Sequence, residues 1–377
     1  MIPFNKPYLT GKEVHYIYQA VSSGKLSGNG AFTKKCQQYF EDSYRCKKCL
    51  LTTSCTDALE MAALLSMVSA GDEVIVPSYT FVSSALAFVR QGAKIVFADS
   101  GRDNPNIDVG RLESLVTPKT RVIVPVHYAG IACDMDPIMK IAERHNLLVI
   151  EDAAQGIESF YKGKPLGTIG HMAAFSFHET KNIISGEGGM ICINDDRFIQ
   201  RADVIWEKGT NRAAFFRGEV DKYGWVDTGS SFLPSEITAA FLYAQIENIT
   251  VIQNRRRAIW TRYWEGLKPL AAEGLIALPH IPEYAMNNAH MFYLVCDSLE
   301  DRSALIVKLK ESGIMAVFHY LSLHKSKYYE PERDGRALPQ SDRYTDCLLR
   351  LPLYYELQDS QVDVIVKTIQ QFFKGMK

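Results

Sequence analysis

Lys181 stands four residues beyond the apolar run Ala173-Ala-Phe-Ser-Phe177 and shortly before the glycine-rich turn Gly186-Glu-Gly-Gly189. A lysine on an ordinary surface is solvated and inert. One delivered between a buried strand and a flexible turn is partly desolvated, which lowers its pKa and frees an amine nucleophile. A second chemical group is acidic. Leu147-Leu-Val-Ile150 runs straight into Glu151-Asp152-Ala-Ala-Gln155, putting a carboxylate at the carboxyl end of a buried strand, where it needs a cationic or hydrogen-bonding partner. Thr53-Ser54-Cys55-Thr56-Asp57 then joins a strand to an almost wholly apolar helix. Alone this reads as an ordinary hydroxyl N-cap, yet such a helix start also points N–H groups and a positive dipole end at a phosphate. Finally, Pro77-Ser-Tyr-Thr-Phe81 ends a strand with aromatic rings on which a flat ligand can stack. A phosphate cradle, a carboxylate, an amine nucleophile and a stacking ring together match the requirements of pyridoxal phosphate (PLP).

These groups need a scaffold that brings strand ends together. Short apolar runs at Cys49–Thr52, Glu73–Pro77, Lys94–Ala98, Arg121–Val126, Leu147–Ile150, Ala173–Phe177 and Met190–Ile193 read as strands. Most do not alternate with polar residues, as befits strands buried on both faces. Helical stretches over Asp57–Ser69, Phe81–Arg90 and Pro137–His145 lie between several of them. The alternation predicts an α/β fold with a mainly parallel sheet whose ligands sit at the carboxyl strand ends. Further helices are expected over Pro234–Asn248, Val251–Leu267, Asp301–Ser312 and Ser360–Phe373, with strands at Met291–Val295 and Met315–Phe318. A large domain over residues 1–250 and a smaller C-terminal α/β domain over 251–377 are expected.

The bulk properties narrow the class. With 377 residues, 47% hydrophobic and 23% charged, the chain has the composition of a globular protein with a sizeable core. Its 42 basic and 43 acidic residues give a net charge of −1, so bulk charge offers no support for nucleic-acid binding. Eight cysteines scattered over this length do not form a disulfide scaffold, and Cys46-Lys-Lys-Cys49 lacks the second pair that a metal site needs. No metal is therefore expected. The opening Met1–Pro7 has no basic start followed by an apolar core, and no apolar run approaches a bilayer span. A cytoplasmic protein without a membrane partner is expected.

Read as motifs, Ser54-Cys-Thr-Asp-Ala-Leu59, Pro77-Ser-Tyr-Thr-Phe-Val82, Glu151–Gln155, Phe175-Ser-Phe-His-Glu-Thr-Lys-Asn182, Gly186–Gly189 and His319-Tyr-Leu-Ser-Leu-His324 resemble those of the DegT/DnrJ/EryC1/StrS sugar-nucleotide aminotransferases. The resemblance spans essentially the whole chain and implies the aspartate-aminotransferase fold (PLP fold type I). It implies amino transfer from glutamate to a nucleotide-linked keto sugar, with PLP bound to Lys181 and Asp152 paired with the pyridinium nitrogen. Phe81 would stack on the ring and Gln155 would bond its phenolic oxygen. Thr56, the Asp57 backbone N–H and Ser176 would hold the phosphate, and His319, Tyr320 and His324 would face the substrate. Relatives are homodimers in which a second-subunit Asn completes the phosphate site. Here that segment reads Gly229-Ser-Ser231, so the resemblance leaves Ser231, or Asn211 from another loop, for this contact. Cys55 stands where many relatives have Gly. Rival readings are a 3-keto acceptor or a gluco-configured product, a dehydratase branch that carries His in place of the lysine, and a non-catalytic PLP-binding regulator. Lys181 opposes the last two.

Overall fold

The computed structural model describes residues 1–332 and 334–375. In chain order the strands begin with β1 (Lys48–Thr52), β2 (Glu73–Pro77), β3 (Lys94–Ala98), β4 (Thr120–Ile123) and β5 (Leu148–Asp152). A short hairpin, β6 (Phe160–Tyr161) and β7 (Lys164–Pro165), precedes β8 (Met172–Ser176) and β9 (Gly189–Ile193). Seven of them form one sheet in the order β1-β9-β8-β5-β4-β2-β3. β8, β5, β4, β2 and β3 run parallel, as the apolar runs predict, whereas β9 is antiparallel to both β1 and β8. The reversal follows from the connection: residues 177–188 contain no helix, and a parallel return needs a crossover element.

Helices cover both faces. Cys55–Ser66, Ser83–Val89 and Ile199–Trp206 pack on one side, where Leu59, Ala62, Val76, Ile150 and Met172 form a buried cluster. Ala31–Tyr44 and Glu236–Ile246 pack on the other, with Phe40, Leu51, Phe175 and Leu242. Adjacent Leu50 and Leu51 fall in opposite clusters, the alternation that a strand imposes. Helix Cys55–Ser66 starts earlier than its apolar pattern because Ser54, in extended backbone, caps it by accepting the Asp57 N–H at 3.1 Å.

The C-terminal part has its own core. Helices Ile249–Ala272, Leu299–Glu311 and Asp359–Lys374 bury Tyr263, Leu309 and Ile365 against the antiparallel pair β11 (Phe292–Val295) and β12 (Leu348–Leu351); a short β10 (Ala285–Met286) pairs with β6. Met315–Phe318 forms no strand; Val317 makes a single bridge to Arg350 on β12. The chain's start also joins this part, since Ile2 bridges Ile314. We propose a domain boundary near residue 250 because the buried members of this cluster all lie from Ile259 onward. Among the described residues no helix is long and apolar enough to cross a membrane.

Candidate active site

A cavity of about 790 Å³ opens at the carboxyl ends of β1, β5 and β8 and is closed from the other side by β12 and residues 319–320. Thr56, Phe81, Asp152, Gln155, Ser176, Lys181, His319 and Tyr320 all line it, so eight of the side chains expected from the sequence converge. The loop after β8 holds Lys181 through its backbone N–H, which donates to the His178 carbonyl at 2.8 Å. Its ammonium group has no hydrogen-bond or ion-pair partner among the described residues. Burial pulls its pKa below the usual lysine range, and Arg350 adds to the shift, while the Asp152 carboxylate opposes it. The site thus eases loss of the proton from this amine.

Asp152 is the last residue of β5. Its Oδ2 accepts the Ser84 hydroxyl at 2.6 Å and its Oδ1 the Ala154 N–H at 3.1 Å, which leaves lone pairs for a donor in the cavity. The preceding Glu151 points to the opposite face. There it accepts N–H groups of Gly167, Ile169 and Gly170 at 2.8, 2.8 and 2.6 Å and the His127 Nε2–H at 2.8 Å. His127 Nδ1 in turn lies 3.1 Å from the Cys133 backbone nitrogen, which fixes the ring in place. Burial pushes the Glu151 carboxyl up, but these donors outweigh it and its pKa is lowered. A depressed carboxylate pKa contributes stability that is fully present above the unfolded value and lost as pH falls through the folded one. Glu151→Gln is therefore expected to cost about 3 kcal/mol at pH 7, because an amide N–H₂ faces donors. It should also flatten the loss of stability as pH falls below the ordinary glutamate range of about 4. Urea denaturation of both proteins at several pH values checks this; equal acid limbs would contradict it.

The turn between β1 and its helix presents Thr56, whose hydroxyl lies 2.8 Å from the Ser83 hydroxyl. The Cys55 and Thr56 N–H groups have no partner among the described residues. The Asp57 N–H, expected as a phosphate donor, bonds the Ser54 hydroxyl at 3.1 Å, and its carboxylate accepts the Thr53 hydroxyl. The glycine turn serves close approach as well as bending. A Cβ on Gly189 would collide with the Ser54 carbonyl and the Cys55 nitrogen, so only glycine lets β9 lie against the phosphate-facing turn. Gly189→Ala is expected to displace that turn and weaken PLP binding at least about tenfold, read by titrating the apoprotein with PLP.

Phe81 keeps 56% of its surface exposed at the cavity, with its ring 6.1 Å from that of Tyr320. Gln155 is pinned by two bonds: its Oε1 accepts the Ala129 N–H at 2.6 Å and its Nε2 donates to the Tyr320 hydroxyl at 3.1 Å. His319 stacks on Tyr320 with centroids 3.4 Å apart, and its Nδ1 lies 2.7 Å from the Tyr128 hydroxyl. Ser176 Oγ accepts the His178 N–H at 3.3 Å. Two expected residues lie elsewhere. His324 is buried outside the cavity lining, its Nδ1 2.7 Å from the Ser78 hydroxyl beyond β2. Ser231 is exposed and bridged to Glu207, away from this chain's cavity. Asn211 accepts the Gly224 N–H at 2.7 Å and does not line the cavity either.

Arg350 and His290 line the cavity although the sequence reading gave them no role. The Arg350 guanidinium donates to the Phe318 carbonyl at 3.1 Å and lies 4.8 Å from the Phe4 ring centroid; no carboxylate among the described residues pairs with it. The signal for it was a single charge inside the otherwise apolar run Leu348–Leu351.

The residues present fit PLP. Unpaired N–H groups at a helix start suit its phosphate, Asp152 can accept from its ring nitrogen, and the unpartnered amine of Lys181 suits its aldehyde. Comparison with known proteins agrees. The family model described as the DegT/DnrJ/EryC1/StrS aminotransferase family matches residues 7–370. The chain is 32% identical over 383 residues, 99% of its length and 97% of the relative's, to the spore coat polysaccharide biosynthesis protein SpsC of Bacillus subtilis. Among solved structures, the inferred sugar aminotransferase Spr1654 of Streptococcus pneumoniae in its pyridoxamine phosphate form superposes with a TM-score of 0.91 at 27% identity, covering 100% of both chains. Its PLP form gives 0.90 at 27% identity, covering 100% of this chain and 99% of that one. An aminotransferase from Psychrobacter cryohalolentis gives 0.93 at 26% identity over 99% of both. The fold is that of the PLP-type aminotransferases, the enzyme is a PLP-dependent transaminase acting on sugars, and the chain belongs to the DegT/DnrJ/EryC1/StrS aminotransferase family.

Proposed function

We propose that the enzyme moves an amino group from glutamate to dTDP-4-keto-6-deoxy-D-glucose, giving dTDP-4-amino-4,6-dideoxy-D-galactose for a surface polysaccharide such as enterobacterial common antigen. The carrying observation is the amine of Lys181, unpartnered and lowered in pKa, lining one cavity with Asp152 and the phosphate-facing turn. The choice of sugar rests on longer motifs. Val126-His-Tyr-Ala-Gly130, Phe177-His-Glu-Thr-Lys-Asn182, Glu207-Lys-Gly-Thr-Asn-Arg212 and Leu349-Arg-Leu-Pro-Leu-Tyr354 resemble the transaminase that makes this product. Three of the four contribute to the cavity or its immediate wall: Tyr128 through His319, Lys181 directly, and Arg350 directly.

When bound, PLP supplies an aldehyde that exchanges amino groups and a ring that accepts the electron pair left by C–H cleavage. The chain's own groups do the rest. Lys181, as a neutral amine, would hold the aldehyde and would move a proton at carbon in each half of the exchange. Asp152 would hold the ring nitrogen through a charge-assisted hydrogen bond and favour its protonated form. Phe81 would cover one ring face, and Gln155, held by Ala129 and Tyr320, would offer its second N–H to the ring oxygen. Arg350 is the cation available to a carboxylate of glutamate. Arg350→Ala is expected to raise KM for glutamate by about tenfold to a hundredfold with a smaller change in KM for the sugar. Steady-state kinetics with each substrate varied in turn checks this, and equal effects on both would contradict it.

Two copies are proposed to complete each site, with Ser231 or Asn211 of one reaching the phosphate bound by the other. Trp225, 83% exposed beside Val226 on the same loop region, is apolar surface suited to that interface. The reaction belongs in the cytoplasm, where glutamate and nucleotide sugars are supplied. NMR of the product after incubation with PLP, glutamate and dTDP-4-keto-6-deoxyglucose tests the assignment. The galacto 4-amino sugar is the expected product; the gluco epimer, a 3-amino sugar or unchanged substrate would overturn it.

A further inference from the structure

Three thiols meet beneath β1, away from the cavity and unused by the transamination chemistry. Cys46 Sγ lies 3.1 Å from Cys49 Sγ, which lies 3.2 Å from Cys192 Sγ. The three sulfurs fall within 4.8 Å of one another. The pair Cys46-Lys-Lys-Cys49 comes from the turn into β1, and Cys192 is the direct cross-strand partner of Cys49 on β9. None of them lines the cavity.

The surroundings decide between two chemistries for such a cluster. A metal held by three thiolates would leave net negative charge among Phe40, Tyr44, Phe175 and Phe177, and no His, Asp or Glu among the described residues joins the group as a fourth ligand. A disulfide is neutral and suits this apolar wall. The three sulfurs are also unequal. Cys46 is 6% exposed, against 1% for Cys49 and 0% for Cys192, and it sits between Arg45 and Lys47, whose side chains reach solvent. Hydrogen bonds from Cys192 and Cys49 pull the Cys46 thiol down to about 4, whereas burial pushes Cys49 and Cys192 well above the ordinary thiol range. Cys46 is therefore the least buried of the three and the one most readily ionised, with the Cys49 thiol in contact with it.

We propose that Cys46 and Cys49 form a reversible disulfide when the protein meets hydrogen peroxide, a modification site separate from the transamination centre. The Cys46 thiolate attacks one peroxide oxygen and breaks the O–O bond. This gives a sulfenic acid and a hydroxide that takes up a proton to leave as water. The Cys49 sulfur then attacks the sulfenic sulfur, the S–O bond breaks, and a second water departs with the Cys49 proton. In total two thiols and one peroxide become one disulfide and two waters; the two sulfurs are oxidised as the two peroxide oxygens are reduced.

The test treats the PLP-loaded enzyme briefly with hydrogen peroxide, blocks remaining thiols with iodoacetamide and maps peptides without reductant. A Cys46–Cys49 link that dithiothreitol removes, that is absent from Cys46→Ser and that persists in Cys192→Ser is expected. On the untreated enzyme Cys46 should be alkylated at least about tenfold faster than Cys36 or Cys296. The native chain alone decides the matter if a variant fails to fold. Recovery of Cys46 and Cys49 both alkylated, of Cys46 as a sulfinic acid, or of a Cys49–Cys192 link would overturn the proposal. So would a metal ion bound one per chain that shields all three thiols.

Discussion

Lys181→Ala is expected to lower transamination by at least about 10,000-fold while leaving the fold intact. The size follows from the double duty of this amine, which holds the carrier and moves the proton at carbon in both halves of the exchange. The retained fold follows from the structure: the side chain makes no hydrogen bond or ion pair among the described residues, and only its backbone N–H is used, in a bond to the His178 carbonyl. Circular dichroism should match the native protein, and the visible absorption of the cofactor-loaded enzyme should be lost or shifted. Full turnover by a correctly folded variant would refute the assignment. Lys181→Arg should fare no better, since a guanidinium stays protonated at any usable pH and cannot act as base.

Asp152→Asn is expected to reduce kcat by about 100- to 10,000-fold with a smaller change in KM for glutamate. Asparagine keeps the size of the side chain and an oxygen for the Ser84 hydroxyl and the Ala154 N–H, so the local framework of β5 should survive. What it removes is the negative charge beside the ring nitrogen. Without that charge the ring binds its proton less often and accepts electrons poorly. The effect should therefore appear in the chemical step, not in donor binding. Stopped-flow observation of the glutamate half-reaction separates the two. A rate within tenfold of native would mean that Asp152 is structural only. Asp152→Glu keeps the charge but lengthens the arm past the Ser84 anchor, and should recover only part of the loss.

Much of this arrangement was legible before any coordinates. β8 is an unbroken apolar run but for its final Ser176, and β2 is nearly so after Glu73, because their residues are buried on both faces of the sheet. The Lys181 and Asp152 assignments came from the same rule, since each lies at or just beyond the carboxyl end of such a run. Other features depend on contacts between distant residues and leave little local trace. The antiparallel direction of β9 is set by a helix-free connection, not by its own residues. Met315–Phe318 has strand composition but finds only one bridge, to Arg350.

Sequence proximity also misleads near the second wall of the cavity. His319 and Tyr320 face the ligand space, yet His324, a few residues on, follows a turn tied to the Ser78 carbonyl through Leu323 and ends up beside the Ser78 hydroxyl. The Asp57 N–H, expected at a phosphate, also bonds the Ser54 cap, a local pairing that propensity alone does not reveal. Arg350 looks like an ordinary surface charge until β12 is seen to carry it into the cavity. Cys192 joins the Cys46–Cys49 pair only through the cross-strand register of β1 and β9.

The most direct check is chemical capture of the residue that carries PLP. Borohydride reduction of the loaded enzyme, followed by digestion and mass mapping, should leave the cofactor fixed on the ε-nitrogen of Lys181 alone. A tag on any other side chain, or a protein that carries none after reduction, would contradict the account.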